Sequence, residues 1–180
     1  MRRLFPLIAC VALLAAGCGT PAYIHEAETE GVYVDVGSLT YQVQISRYLN
    51  PGSLDDREYL EGIPEDQLHP PGDEIWFGVF MRVKNYSDVS SVPSSEYVIK
   101  DTEGQEYRPI PLPDTNPFAY HPGPLPPSQV YPYAESAAAN GPIQGSLILF
   151  KLKTDSLQNR PLVLEITQAG EEPSEVDLDL

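Results

Sequence analysis

Between residues 32 and 167, apolar and polar side chains repeatedly change places at every step of the chain. Leu39, Tyr41, Val43 and Ile45 alternate with Thr40, Gln42, Gln44 and Ser46. A period of two puts each set on one face of an extended strand, whereas a helix would scatter both sets around its circumference. The stretch therefore predicts a half-buried antiparallel strand. Val32, Val34 and Val36 alternate with Tyr33 and Asp35 in the same way. Residues 74–87 place Ile75, Phe77, Val79, Met81 and Val83 on one face and Trp76, Gly78, Phe80, Arg82 and Lys84 on the other. The first half of that strand is expected to be covered on both sides and its second half to be wet. Glu-Tyr-Val-Ile-Lys (96–100) and Glu-Tyr-Arg-Pro-Ile (106–110) flank Asp101-Thr102-Glu103-Gly104, a turn with Gly104 at hand for a positive φ. Residues 145–152, almost wholly apolar, read as a central strand, and Leu162, Leu164 and Ile166 alternate with Val163, Glu165 and Thr167. No window keeps a helical period; residues 55–60 and 133–139 offer one turn each. About seven strands joined by Pro/Gly-rich connections predict an all-β fold, an antiparallel β-sandwich of immunoglobulin-like type without a disulfide.

Two connections, 47–74 and 109–132, are too long for turns, and long irregular segments in compact domains are functional or disordered. The first carries apolar anchors (Tyr48, Leu49, Tyr59, Leu60, Ile63, Leu68), so it is expected to pack on the sandwich. It also carries a crowd of acids, of which Asp55, Asp56, Glu58 and Asp73 are the weak calcium candidates; their spacing matches no EF-hand loop. The second holds nine prolines together with Phe118, Tyr120, Tyr131 and Tyr133. Aromatic rings on a proline-stiffened loop suit a protein- or glycan-binding edge. The competing reading, favoured because four unpartnered rings would invite aggregation, is that they fold back over the end of the sandwich.

Other chemistry is thinly served. No Gly-x-Ser-x-Gly elbow, phosphate loop or dinucleotide fingerprint occurs. His25, His69 and His121 sit in separate connecting segments, and no cysteine cluster accompanies them, so no zinc site forms from sequence neighbours. No cofactor and no enzymatic activity are expected. The formal charge of −15 excludes nucleic acid as a partner, since phosphates require Lys and Arg.

The first residues set an address. Arg2 and Arg3 precede an apolar run, residues 4–17, which ends in Ala15-Ala16-Gly17-Cys18. The run is too short for a permanent span of the ~30 Å hydrocarbon core and reads as a signal peptide. Small residues directly before a cysteine resemble the lipobox of bacterial lipoproteins. That resemblance implies cleavage before Cys18, diacylation of Cys18, and an extracytoplasmic protein held to the membrane by its N-terminal lipid. In a two-membrane host, Gly19 in the next position implies the outer membrane. Loss of Arg2 and Arg3 leaves nine basic against 26 acidic residues, −17, so anionic headgroups repel the body and only the lipid favours the membrane. Residues 18–31 then read as a flexible tether, 32–168 as the sandwich, and 169–180 as an acidic tail that frays.

The order of the central segments, with Val83-Lys84-Asn85, Val98 to Gly104, Gly145 to Leu152 and Pro161 to Ile166, resembles a bacterial immunoglobulin-like domain of unknown function found in exported lipoproteins. The secreted immunoprotective antigen of mycobacteria is a fold relative of that domain. Asp55-Asp56-Arg57-Glu58-Tyr59-Leu60 and Asn116-Pro117-Phe118-Ala119-Tyr120 resemble an actinobacterial branch of it. The resemblance implies a fold and an address and brings no catalytic residues. The expected function is a lipid-anchored, non-enzymatic binding or scaffold domain of the cell envelope, its partner a protein or a cell-wall polymer. The alternative expectation is an accessory or sensor domain that takes calcium or a small ligand through residues 55–74.

Overall fold

The computed structural model describes residues 23–179; the signal segment and Cys18 lie outside the described residues. The chain forms β1 (Glu26–Ala27), β2 (Tyr33–Val36), β3 (Leu39–Leu49), α1 (Leu54–Tyr59), α2 (Glu65–Leu68), β4 (Glu74–Asn85), β5 (Glu96–Lys100), β6 (Glu106–Tyr107), β7 (Val130–Tyr131), α3 (Ala137–Asn140), β8 (Ser146–Lys153), a 3₁₀ turn (Thr154–Leu157), β9 (Leu162–Thr167) and β10 (Ser174–Leu178). One sheet runs β1-β10-β9-β5-β6. The other runs β2-β3-β4, with β8 and then β7 sharing the far side of β4. All pairings are antiparallel except that of β1 with β10. The fold is the expected β-sandwich, and its described part contains no cysteine.

Alternation places the core. Val34, Tyr41, Val43, Phe77, Val79 and Val83 face Tyr97, Ile99, Leu164, Ile166 and Val176 between the sheets, all nearly inaccessible. The back of β4 is buried too. Trp76 and Phe80 join Leu49, Leu147 and Leu149 in a second core, roofed by Tyr59, Leu60, Leu68, Leu112 and Phe118 from the two long connections. The Trp76 indole N–H donates to the Leu68 carbonyl at 2.8 Å, which satisfies the ring's one polar atom inside that core. The connections thus form a third layer. Further along β4 the roof stops, and Arg82 and Lys84 remain half-buried. In the 101–104 turn Gly104 has φ +80°, and the Asp101 carboxylate accepts the Glu103 and Gln105 N–H groups.

Four expectations need correction. Residues 145–152 are not a central strand: β8 pairs with β4 on one side only and forms a sheet edge. Ile45 does not share the inner face with Val43: the β3–β4 register shifts between them, Ile45 stands opposite Phe80, and Ser46 and Tyr48 turn inward. An extra residue at a bulge reverses the phase of everything after it. Residues 174–178 are not a fraying tail but β10, hydrogen-bonded between β9 and β1, with Val176 fully buried. The end of the supposed tether belongs to the sandwich. Residues 26–27 pair with β10, His25 Nδ1 lies 3.0 Å from Ser174 Oγ, and the Glu30 carboxylate accepts the N–H groups of Ser46 and Asp179.

Candidate functional site: a cleft under the proline-rich connection

After β6 the chain crosses from one sheet to the other. Pro109 and Pro111 have no N–H to donate, but Ile110 between them donates to Leu149 O at 2.7 Å and docks on the open side of β8. The chain then swings outward over the second core. It is held there by Asn116, whose Nδ2 donates to the carbonyls of Tyr59 and Glu61 at 3.0 Å each, while Oδ1 accepts the Phe118 N–H at 2.9 Å. It returns beside β8, where Leu147 N donates to Phe118 O and Tyr120 N donates to Leu147 O. Two passes, at Leu149 and Leu147, shield the strand edge without extending the sheet.

Where the passes diverge they leave a cleft of about 330 Å³, lined by Tyr97, Ile110, Leu112, Tyr120, His121 and Ile148 together with prolines 109, 111 and 122. Its inner wall is a tyrosine network. The Tyr97 and Tyr120 hydroxyls are 2.7 Å apart, both reach the Ser94 carbonyl (3.0 and 2.9 Å), and Tyr41 Oη accepts the Ser94 N–H at 2.8 Å. The Ser94 hydroxyl in turn donates to Thr167 O, tying the network to β9. Burial pushes the Tyr97 and Tyr120 phenols well above their ordinary range and Tyr41 up to about 12. All three stay protonated at neutral pH, so the network behind the cleft is neutral and carries no phenolate. At the rim, Tyr131 Oη accepts the His121 N–H at 2.9 Å, and the His121 ring lies 3.3 Å from Pro113 O and 3.6 Å from Asp114.

The four aromatic residues singled out from sequence do not share one surface. Phe118 is buried in the second core, edge-on to Tyr59 at 4.8 Å. Tyr120, Tyr131 and Tyr133 form an edge-to-face relay that starts at Tyr97, with centroids 5.5, 5.5 and 5.7 Å apart, running from the interior outward. Of the four, Tyr133 at the outer end is the most open to solvent, 36 % accessible. The sequence reading missed Tyr97 and Ser94, and it quoted Asn116 within the 116–120 motif without assigning it a role. Tyr97 was visible as the inward neighbour of Ile99 in the 96–100 alternation, but nothing local marks Ser94 or shows that Asn116 reaches carbonyls 55 and 57 positions away.

The calcium candidates are dispersed. Asp56 is buried in an ion pair with Arg47 and accepts the Asn50 N–H at 2.7 Å. Asp73 receives the Lys153 ammonium at 2.9 Å, which holds its carboxyl below the usual range. Asp55 and Glu58 are exposed on α1. Among the described residues no three His, Cys, Asp or Glu side chains are grouped to hold a metal ion. No described helix is long and apolar enough to cross a membrane.

No family model and no curated protein matches the sequence. Among solved structures, the chain is similar to the yjhA protein of Bacillus subtilis (11 % identity, TM-score 0.48, 84 % of this chain and 99 % of that one). It is also similar to an uncharacterised β-sandwich protein of Clostridium difficile (9 %, 0.46, 89 % and 100 %) and the putative ApaA protein of Bordetella pertussis (14 %, 0.32, 85 % and 92 %).

Proposed function

We propose that the chain is a lipid-anchored, non-enzymatic binding or scaffold domain of the bacterial cell envelope. Through the cleft beneath residues 109–122 it engages another envelope component, a protein or a cell-wall polymer. The observation that carries this reading is the cleft itself: apolar walls, a few fixed hydroxyls and proline-stiffened rims, the composition of a preformed ligand site. Prolines limit the conformations the rim has to give up on binding. The raised Tyr97 and Tyr120 phenols favour hydrogen bonding over proton abstraction or nucleophilic attack. The small residues before Cys18 support the lipid anchor, and two acyl chains suffice for stable attachment.

A photo-crosslinking residue at position 121, on the exposed rim, tests the binding role in intact cells. A discrete adduct is expected there; none above that obtained from position 103, on the remote 101–104 turn, refutes it. Cys18→Ala tests the anchor and is expected to move the folded protein to the soluble fraction. Retention on membranes overturns that part.

A further inference from the structure

Cations are scarce in this chain, 11 against 26 acids, and most of the described ones have a carboxylate at hand. Arg47 pairs with Asp56, Lys100 with Glu165, Arg108 with Glu106, Lys151 with Glu74, and Lys153 with Asp73 and Glu74. Two of the others are half-buried: Lys84, which lies over the Tyr86 ring, and Arg82. Arg82 makes no hydrogen bond or ion pair among the described residues. A guanidinium carries five N–H donors, and with no protein acceptor those of Arg82 stay open to water or to a ligand in the pocket.

Arg82 stands on the outer face of β4, beyond the end of the loop-and-helix roof, in a second pocket of about 330 Å³. Ser128, Gln129, Asn140 and Gln144 line it with hydroxyl and amide groups. Asn140 spends its amide hydrogens on Ala134 O (2.5 Å) and Ser136 O (2.9 Å), so its Oδ1 remains the available acceptor. The Gln129 and Gln144 side chains are exposed and make no hydrogen bond among the described residues, leaving a donor and an acceptor on each. On the same face Lys84 holds its ammonium 4.0 Å above the Tyr86 ring and adds positive potential without a carboxylate to cancel it.

We propose that this pocket binds a carboxylate-bearing sugar. The guanidinium matches a carboxylate in a two-pronged, charge-assisted contact. The surrounding amides match hydroxyls, which both donate and accept. The volume lies at the small end of ligand sites, ~300–1,000 Å³, which suits one ring better than a drug-sized or polymeric ligand fully enclosed. The pocket is separate from the cleft under residues 109–122 and stands whether or not that cleft has a partner.

The test is an ¹H–¹⁵N NMR titration with galacturonic acid, its neutral methyl ester and inorganic phosphate. Galacturonate is expected to give saturable shifts at Arg82 Nε–H and the Gln144 side-chain amide, with the methyl ester and phosphate giving none. Arg82→Ala should weaken binding at least about tenfold, in line with the loss of a charged hydrogen-bonding group. Arg82→Lys should keep part of it, and Arg57→Ala, on exposed α1, should change nothing. Gln144→Ala, a surface change that leaves folding intact, should weaken galacturonate and decides the matter if Arg82→Ala does not fold. The proposal is overturned by the absence of saturable shifts, by equal binding of the ester or of phosphate, or by unaltered affinity in both Arg82→Ala and Gln144→Ala.

Discussion

Asn116→Ala is the sharpest probe of how the proline-rich connection is held. The side chain is 2 % accessible and makes three hydrogen bonds, to the carbonyls of Tyr59 and Glu61 and from the N–H of Phe118. Alanine removes all three partners and leaves no room for bulk water. The contacts at Tyr59 and Phe118 are fully buried, so each group left unpaired costs about 1–3 kcal/mol. The Glu61 contact is partly open, and its carbonyl recovers a water bond at little loss. The expected destabilisation is therefore about 2–6 kcal/mol, a large fraction of the ~5–15 kcal/mol of a typical domain. For a chain of this size about 3 kcal/mol lowers Tm by roughly 6–12 °C. Urea unfolding followed by circular dichroism should show a lower midpoint at an unchanged m-value. Amide exchange at Leu147, whose N–H bonds to Phe118 O, should accelerate more than exchange at Leu164 in the opposite sheet. Asn116→Asp keeps the acceptor but turns a carboxylate toward two carbonyls, and should be no more stable than the alanine variant. A change below about 0.5 kcal/mol in Asn116→Ala, the scale of ordinary surface substitutions, would refute the clamp.

Other outcomes follow from the same coordinates. Tyr41 has a folded pKa of about 12 against 10.0 for the free phenol, so its contribution to stability is complete below about pH 10 and is lost as pH rises toward 12. Tyr97 and Tyr120 shift in the same direction, and phenolate absorbance should therefore lag for these three and rise together with loss of the circular-dichroism signal; early, non-cooperative ionisation of all 11 tyrosines contradicts this. Val79→Asp and Phe80→Asp should both abolish folding, because both side chains are fully buried, one in each core. A soluble, folded product from either contradicts the double burial of β4. Truncation after residue 169 removes β10 and with it Val176 and Leu178 from the inter-sheet core; no cooperative thermal transition is expected, and a retained one contradicts the structural role of that strand.

How much of this was legible depended on whether a residue's surroundings were written nearby. The long alternations at 39–43, 75–83 and 162–167 fixed strand, face and burial, even to the dry first half and half-wet end of β4. Ile45 was misread because the bulge before it inverts the phase, and neither Gly nor Pro marks the spot. Ser174, Val176 and Leu178 do alternate with Glu175 and Asp177, but the density of acid masked a buried face behind a tail-like composition. Its partner β1, two residues long, is too short to show any period. The rings of 118–133 announced a stiff aromatic segment without saying which way it would turn, since that depends on Asn116 meeting carbonyls more than fifty residues away. Arg82 was placed on a wet face by alternation alone, while the amides around it come from segments 47–62 positions further along.

The pairing of β1 with β10 has a consequence in time. Glu26 and Ala27 are held by Glu175 and Val176, and Thr29 and Glu30 by Asp179, partners about 150 residues away. Contacts of such separation form late, after the intervening loop closure has been offset by other contacts. A nascent chain therefore lacks the last strand of one sheet until residue 178 has been made, and carries an unfilled seam beside β9 until then. In the finished domain the dependence runs one way: β10 can stay on β9 without β1, but releasing β10 takes away the only strand that β1 pairs with among the described residues.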